Sequence, residues 1–172
     1  MGDVTYIDSG RKDVANTIAD SSDVIHCLMI TLSEETIILP NTAVAEVIGF
    51  VKPEPIGESP SWLLGRITWR ERLVPLISFG MASASGESNT ERQKGDRITI
   101  LNTMNGNSEI PYIGIVSQGI PRLNIIRNED ISTLETKPEN RQSVAEIVSV
   151  DGKSLTIPDI DDLESRLQNI HS

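Results

Sequence analysis

Few side chains in the 172-residue sequence are placed to do covalent or metal chemistry. The histidines are His26 and His171, and the single cysteine is Cys27. His26 and Cys27 are neighbours in an apolar run. On a strand they point to opposite faces, so they cannot share a metal or work as a nucleophile and its base. The sequence has no G-x-x-x-x-G-K-[ST] phosphate loop, no G-x-G-x-x-G and no G-x-S-x-G elbow. Carboxylates are plentiful, but Glu34-Glu35, Asp159 and Asp161-Asp162 fall at turns or at a helix start, where solvation or capping accounts for them. The expectation is a protein that is not an enzyme and uses no metal or cofactor.

The stronger signal is one of recognition. In residues 59–80, SPSWLLGRITWRERLVPLISFG, a short apolar turn ends at Gly65 and a strand over 66–69 leads to Arg70-Glu71. A second strand over 73–79 returns with Pro75 in its middle. Two-residue hairpin tips favour Asn-Gly or Asp-Gly because the fitting turns need positive φ. Folding does not call for an arginine and a glutamate there, beside a tryptophan, so the tip reads as a contact surface. Arginine suits it, with five donors in a planar fork that matches a carboxylate. Trp69 is either core or an aromatic anchor for a partner.

The elements that must carry this tip are strands. Leu28, Ile30 and Leu32 alternate with polar or smaller residues, Ser33-Glu34-Glu35 turns, and 36–39 returns. Pro40-Asn41-Thr42 stops that sheet, and Thr42 can cap a short helical turn running to Val47. The segment 50–60 holds Pro53, Pro55, Gly57 and Pro60 and must be an extended connection. In the second strand of the hairpin, Leu73 and Ile77 face one way and Val74 and Leu76 the other, so it is expected to be covered on both sides. Pro75 marks an edge or a barrel corner. Further strands are expected over 97–102, 112–117 and 121–126, with a turn at Asn105-Gly106-Asn107. Strands over 144–150 and 154–157 pair across Asp151-Gly152. Asp159 then caps a helix whose apolar residues, Ile160, Leu163, Leu167 and Ile170, recur every three or four positions. Residues 1–24 read as a flexible polar tail, 81–96 as a mobile polar loop and 136–142 as a second loop.

Composition bounds the rest. The length fits one domain or two fused half-domains. Aromatic residues make up 3% of the chain, so aliphatic side chains must fill the core. The net charge of −10 argues against nucleic acid or an anionic membrane surface as the main partner, since both reward neutralising Lys and Arg. One cysteine excludes an internal disulfide. No secretory signal is visible in residues 1–24, and no run approaches about eighteen apolar residues, so neither secretion nor membrane insertion is expected. The default location is the cytoplasm.

Read in order, these blocks resemble the CheW family of chemotaxis coupling proteins. Pro60, Gly65, Arg70 and Pro75 match that family's P-x-x-x-x-G-x-x-x-x-R-G-x-x-x-P run. Val44, Glu46 and Val47 match its V-x-E-V/I element, and YIGIVSQGI is similar to its G-I-V-V-D strand. The resemblance runs from about Ile25 to the end, through GKSLTIPDIDDL. The ITW and SQG variants are similar to the ChpC-type branch associated with pilus-driven twitching. The resemblance implies an all-β fold: two small five-stranded SH3-like barrels packed around a shared apolar seam, with a short C-terminal helix, over residues 25–172. It also implies a non-catalytic adaptor that couples the tip of a methyl-accepting chemoreceptor to the regulatory domain of a CheA-type histidine kinase, recruited to receptor arrays. The partner-binding residues it implies are Val44, Glu46, Gly65, Trp69, Arg70 and Glu71. Of these, Val44 and Glu46 would line an apolar groove suited to an amphipathic helix carrying a basic residue.

The sequence departs from the pattern in three places. Glu71 stands where the family has Gly, Thr68 where it has Asn, and Gln118 where it has Asp. A tight turn would cost Glu71 roughly 1–2 kcal/mol, so a wider turn or one of another type is expected. Two alternatives stay open. One is an auxiliary CheW-like protein that binds only the kinase or competes with the main adaptor. The other is a small-ligand-binding or enzymatic β-barrel, which would need a pocket with convergent polar groups.

Overall fold

A computed structural model describes residues 23–83, 92–106 and 109–171. The expected tail lies outside them except for its last two residues, as does the middle of the loop expected at 81–96. Ten strands follow in chain order: β1 Val24–Thr31, β2 Thr36–Pro40, β3 Val44–Gly49, β4 Leu63–Trp69, β5 Arg72–Ile77, β6 Asp96–Asn102, β7 Tyr112–Arg127, β8 Ile131–Thr136, β9 Val144–Val150 and β10 Lys153–Pro158. A short helix α1, Phe79–Ser83, follows β5, and α2, Ile160–His171, closes the described chain.

One long strand joins two halves. The first part of β7 pairs antiparallel with β6 from Tyr112 to Gln118, and parallel with β5 at Gly114 and Ile115. Its second part pairs with β1 from Gln118 to Arg127. One half is therefore β3-β6-β7-β5-β4, and the other runs from β7 through β1, β2, β10 and β9 to β8. The expected strands over 112–117 and 121–126 are thus a single strand. Pro121 is tolerated inside it because the register with β1 slips between the Met29 and Thr31 pairs, and Gly119 supplies a φ of +63° at that slip.

Three apolar clusters fill this architecture. Ile67, Trp69, Val74, Leu76, Ile98 and Ile100 form the core of the first half. Cys27, Ile38, Ile126, Val148, Val150 and Leu155 form that of the second. A larger cluster between them takes Ile30 and Ile37 from one half, Ile77, Leu101 and Ile113 from the other, and Phe79, Leu163 and Leu167 from the helices. Fully burying each such side chain stabilises by about 1.5–3 kcal/mol, so the seam adds to stability as the cores of the halves do. The helix α2 enters this seam by its Leu163 and Leu167 stripe. Its first turn is capped as expected, with the Asp162 N–H donating to Asp159 Oδ1 at 3.0 Å.

Several local expectations are corrected. The segment after Pro40 makes only a 3-10 turn over Asn41–Ala43, with no side-chain cap, and Val44 already belongs to a strand. A bulge between Val44 and Glu46 disturbs the alternation that would have revealed it. The second hairpin strand ends at Ile77, and Phe79 is buried at the start of α1. Leu73 is 61% exposed rather than covered, and it lies on the second rung from the hairpin tip, paired with the exposed Thr68. The strand β8 lacks an apolar alternation: only Ile131 is half-buried, and it pairs as an edge with β9.

Glu35 is also not a solvated turn residue. Arg141 Nη2 donates to its two carboxylate oxygens at 2.7 and 3.0 Å, and Thr156 Oγ1 donates to one of them at 2.7 Å. Arg141 reaches Ser83 Oγ as well, at 3.1 Å. Beside it, Arg166 donates to the Ala82 carbonyl at 2.9 Å and to Ser143 Oγ at 2.8 Å, and its guanidinium lies 4.6 Å from the Trp62 ring centre. Ser143 in turn donates to Asp162 at 2.6 Å. Two arginines thus fasten α1, α2 and the β8–β9 loop across one end of the seam.

Candidate functional site

The hairpin tip between β4 and β5 is a two-residue turn: Trp69 pairs with Arg72, and Arg70 and Glu71 lie between them. Their φ angles are +47° and +62°. Positive φ at both central residues is the mark of a type I′ turn, whose twist matches that of the flanking strands. Of the two alternatives expected from the absence of glycine, a wider turn or one of another type, the wider turn is not formed. Both residues accept the left-handed region, at a cost of order 1–3 kcal/mol each, and both side chains are exposed.

Behind the tip stands a fixed platform. Trp69 is 6% exposed and its ring belongs to the core of the first half. Tyr112 meets it edge to face, with centroids 4.8 Å apart and planes at 74°. The indole Nε1–H donates to Glu46 Oε2 at 2.6 Å, which brings β3 against the hairpin. Arg70 lays its guanidinium 4.6 Å above the Trp69 ring centre and brings Nη2 to 3.5 Å from the same Glu46 oxygen. Its side chain nevertheless remains 68% exposed. Trp69 thus belongs to the core, and what it presents at the surface is Arg70.

The other sequence-selected positions fall around this platform. Glu46 is half-buried on β3. Val44 is half-buried and packs on the seam cluster rather than on the hairpin. Gly65 is buried under the hairpin, with φ +143°, and a Cβ there would lie 2.3 Å from the Glu54 carbonyl oxygen. That approach permits the paired bonds Glu54 N–H to Arg66 O at 2.8 Å and Arg66 N–H to Glu54 O at 2.9 Å. Gly65 therefore acts on the hairpin by holding the 53–54 segment against it. Sequence reasoning missed Tyr112 and Leu73. Tyr112 is marked only as one end of a strand, and Leu73 shows itself only through the two-rung distance to a charged tip.

A polar depression of about 430 Å³ is lined by Lys137, Arg141, Ser143, Asp159, Asp162 and Arg166, among others. Most of these groups are already bonded in the arginine fastening or the helix cap. His26 is exposed while Cys27 is buried, on opposite faces of β1. Burial raises the Cys27 thiol pKa above its ordinary value. Among the described residues no group of three or more His, Cys, Asp or Glu side chains is placed to hold a metal ion. Nor, among them, is any helix long and apolar enough to cross a membrane.

Two strand-built halves on a common seam, with a charged hairpin held beside an edge strand, define a β-sheet body with an exposed charged tip. Comparison with known proteins places it. The model of the CheW-like domain matches residues 26–168, and the chain belongs to that family. No curated protein gives a match. Among solved structures, the fold is similar to that of the scaffolding protein TtCheW from Thermoanaerobacter tengcongensis. The TM-score is 0.64 at 21% identity, covering 78% of this chain and 83% of that one. The expected all-β, CheW-like architecture with two barrel-like halves and a C-terminal helix is thus the one observed.

Proposed function

We propose that this protein is a non-catalytic adaptor of a bacterial chemosensory system, holding a chemoreceptor tip and the regulatory domain of a CheA-type histidine kinase near one another. The observation that carries the reading is the exposed Arg70, fixed on the Trp69–Glu46 platform of a CheW-like fold. An exposed cation on a rigid strand-built support is a recognition device, since little side-chain entropy remains to be lost on binding. The seam between the halves supports the same reading. It makes the two halves one body, so partners held on different faces raise each other's effective concentration. The acidic surface keeps nucleic acid and anionic lipid away, consistent with protein partners met in the cytoplasm at receptor arrays.

The sequence variants shared with the ChpC-type branch point to a pilus-linked system. A second reading rests on Glu71. Its extra charge at the tip, where the family has Gly, favours an auxiliary protein that binds the kinase alone or competes with the main adaptor. The test is a pull-down of the host's histidine kinase and chemoreceptors with this chain as bait. Recovery of both is expected for a bridge, and recovery of the kinase alone would select the auxiliary reading. Recovery of neither, with turnover of a metabolite, would overturn both in favour of an enzymatic barrel.

A further inference from the structure

Asn105-Gly106 is the one Asn-Gly pair in the sequence, and it stands apart from the strands. We propose that it is a site of spontaneous covalent modification, at which Asn105 loses its side-chain nitrogen as ammonia and becomes aspartate or isoaspartate. The last rung between β6 and β7 joins Asn102 to Tyr112, so the pair lies in an open connection. Asn105 and Gly106 are both exposed. Gly106 has φ +67°, and a Cβ built on it would meet nothing within 4 Å. Among the described residues, neither its N–H nor the Asn105 side chain is held by a hydrogen bond.

The step is an intramolecular acyl transfer. The Gly106 amide nitrogen gives up its proton and attacks Asn105 Cγ. The new N–Cγ bond closes a five-membered ring, the Cγ–Nδ2 bond breaks, and the side-chain nitrogen leaves as ammonia with that proton. Water then opens the ring. Cleavage of N–Cγ restores the main chain and leaves aspartate. Cleavage between the same nitrogen and the Asn105 main-chain carbonyl leaves isoaspartate, with the chain running through Cγ. Either route consumes one water, releases one ammonia and adds one negative charge to the net −10.

Closure requires the nitrogen and Cγ to meet, which a free backbone allows and a held one resists. A side chain on the following residue crowds that nitrogen, and every other asparagine in the sequence precedes a residue that has one. Asp151-Gly152 shows what holding does. It takes φ +51° and +76° between Val150 and Lys153, which pair directly, so ring closure there must break the β9–β10 ladder. The body of the protein is insulated from change at Asn105. Thr103 N–H donates to the Pro111 carbonyl at 3.1 Å, and Thr103 Oγ1 donates to that of Ile110 at 2.7 Å, with Ile110 buried in the seam cluster. Asn102 Nδ2 donates to the Thr42 carbonyl at 3.1 Å. The new carboxylate forms at the surface beyond these ties.

The test incubates the purified full chain in mildly alkaline buffer at physiological temperature. Peptide mass spectrometry reads ammonia loss, and methyl transfer from labelled S-adenosylmethionine by an isoaspartyl methyltransferase reads isoaspartate. Folded Asn105 is expected to convert within about fivefold of the rate in a synthetic peptide of residues 101–112, and a slower rate would overturn the proposal. Asp151→Asn supplies a second Asn-Gly pair inside a tight hairpin. It is expected to convert at least about tenfold more slowly than Asn105, and equal rates would overturn the claim that the fold selects the site. Asn105→Gln should abolish the isoaspartate signal; persistence at the wild-type level would overturn the assignment. Asn105→Asp should melt within about 2 °C of wild type, and a larger fall would overturn the insulation of the strands.

Discussion

Replacing Gly65 by alanine separates shape from contact at the hairpin. The backbone there has φ +143°, a region L-residues rarely enter, at a cost of order 1–3 kcal/mol. The new Cβ would sit 2.3 Å from the Glu54 carbonyl oxygen, 2.9 Å from its carbon and 3.0 Å from Pro53 Cβ. Two of those three atoms are backbone, so the 53–54 segment must retreat by roughly 1 Å to restore ordinary contact. That movement breaks or stretches the two Glu54–Arg66 bonds, each worth about 1 kcal/mol. The sum is about 3–5 kcal/mol, which for a domain of this size is a fall in Tm of roughly 10 °C. Urea and thermal unfolding followed by circular dichroism measure it. Gly57→Ala is the control, because a Cβ there meets nothing within 4 Å, and it should unfold like wild type. A Gly65→Ala protein melting within about 2 °C of wild type would refute the reasoning, as would a Gly57→Ala protein that falls as far.

Three further perturbations probe the rest of the molecule. Arg141→Met strands a Glu35 carboxylate whose side chain is only 16% exposed; unfolding should show a loss of about 3 kcal/mol, and Glu35→Leu added to it should recover part of that loss. Glu164 is 1% exposed and neither of its carboxylate oxygens has a hydrogen-bond partner among the described residues, so Glu164→Leu should stabilise by about 1–3 kcal/mol; a lower urea midpoint would contradict this. Burial raises the Cys27 thiol pKa above 9.0. The folded state therefore holds that proton more tightly than the unfolded one, and the contribution is complete below pH 9 and lost as pH rises through the raised value. Urea midpoints between about pH 8 and about pH 10.5 should fall further for wild type than for Cys27→Val, and the native thiol should resist alkylation that is rapid in denaturant.

The hairpins and the C-terminal helix are legible in the sequence because their signals are local. Asp151-Gly152 takes positive φ at both residues, as a two-residue turn requires, and Asp159 with the Leu163 and Leu167 stripe announces a capped amphipathic helix. The same logic misleads where packing overrides propensity. Arg70 and Glu71 enter a turn their side chains disfavour, because Trp69 and Arg72 are held in register by the strands on either side. The bulge in β3 hides its period, and the polar edge strand β8 has no apolar face to betray it.

What the linear chain determined on its own is a set of short-range choices: where the alternating strands lie, where the hairpins turn, which face of the last helix is apolar and which tip is charged. These depend on neighbours a few residues apart. What only the tertiary structure decided is which of the charged groups meet. Glu35 and Arg141 lie 106 positions apart, and Glu46 and Trp69 lie 23 apart. No periodicity records such pairings, because they arise when separate strands are brought together by the seam. For that reason Glu35 looked solvated and Trp69 looked like core or anchor alike. In the folded protein one is bound into the seam, and the other, buried itself, holds Arg70 at the surface.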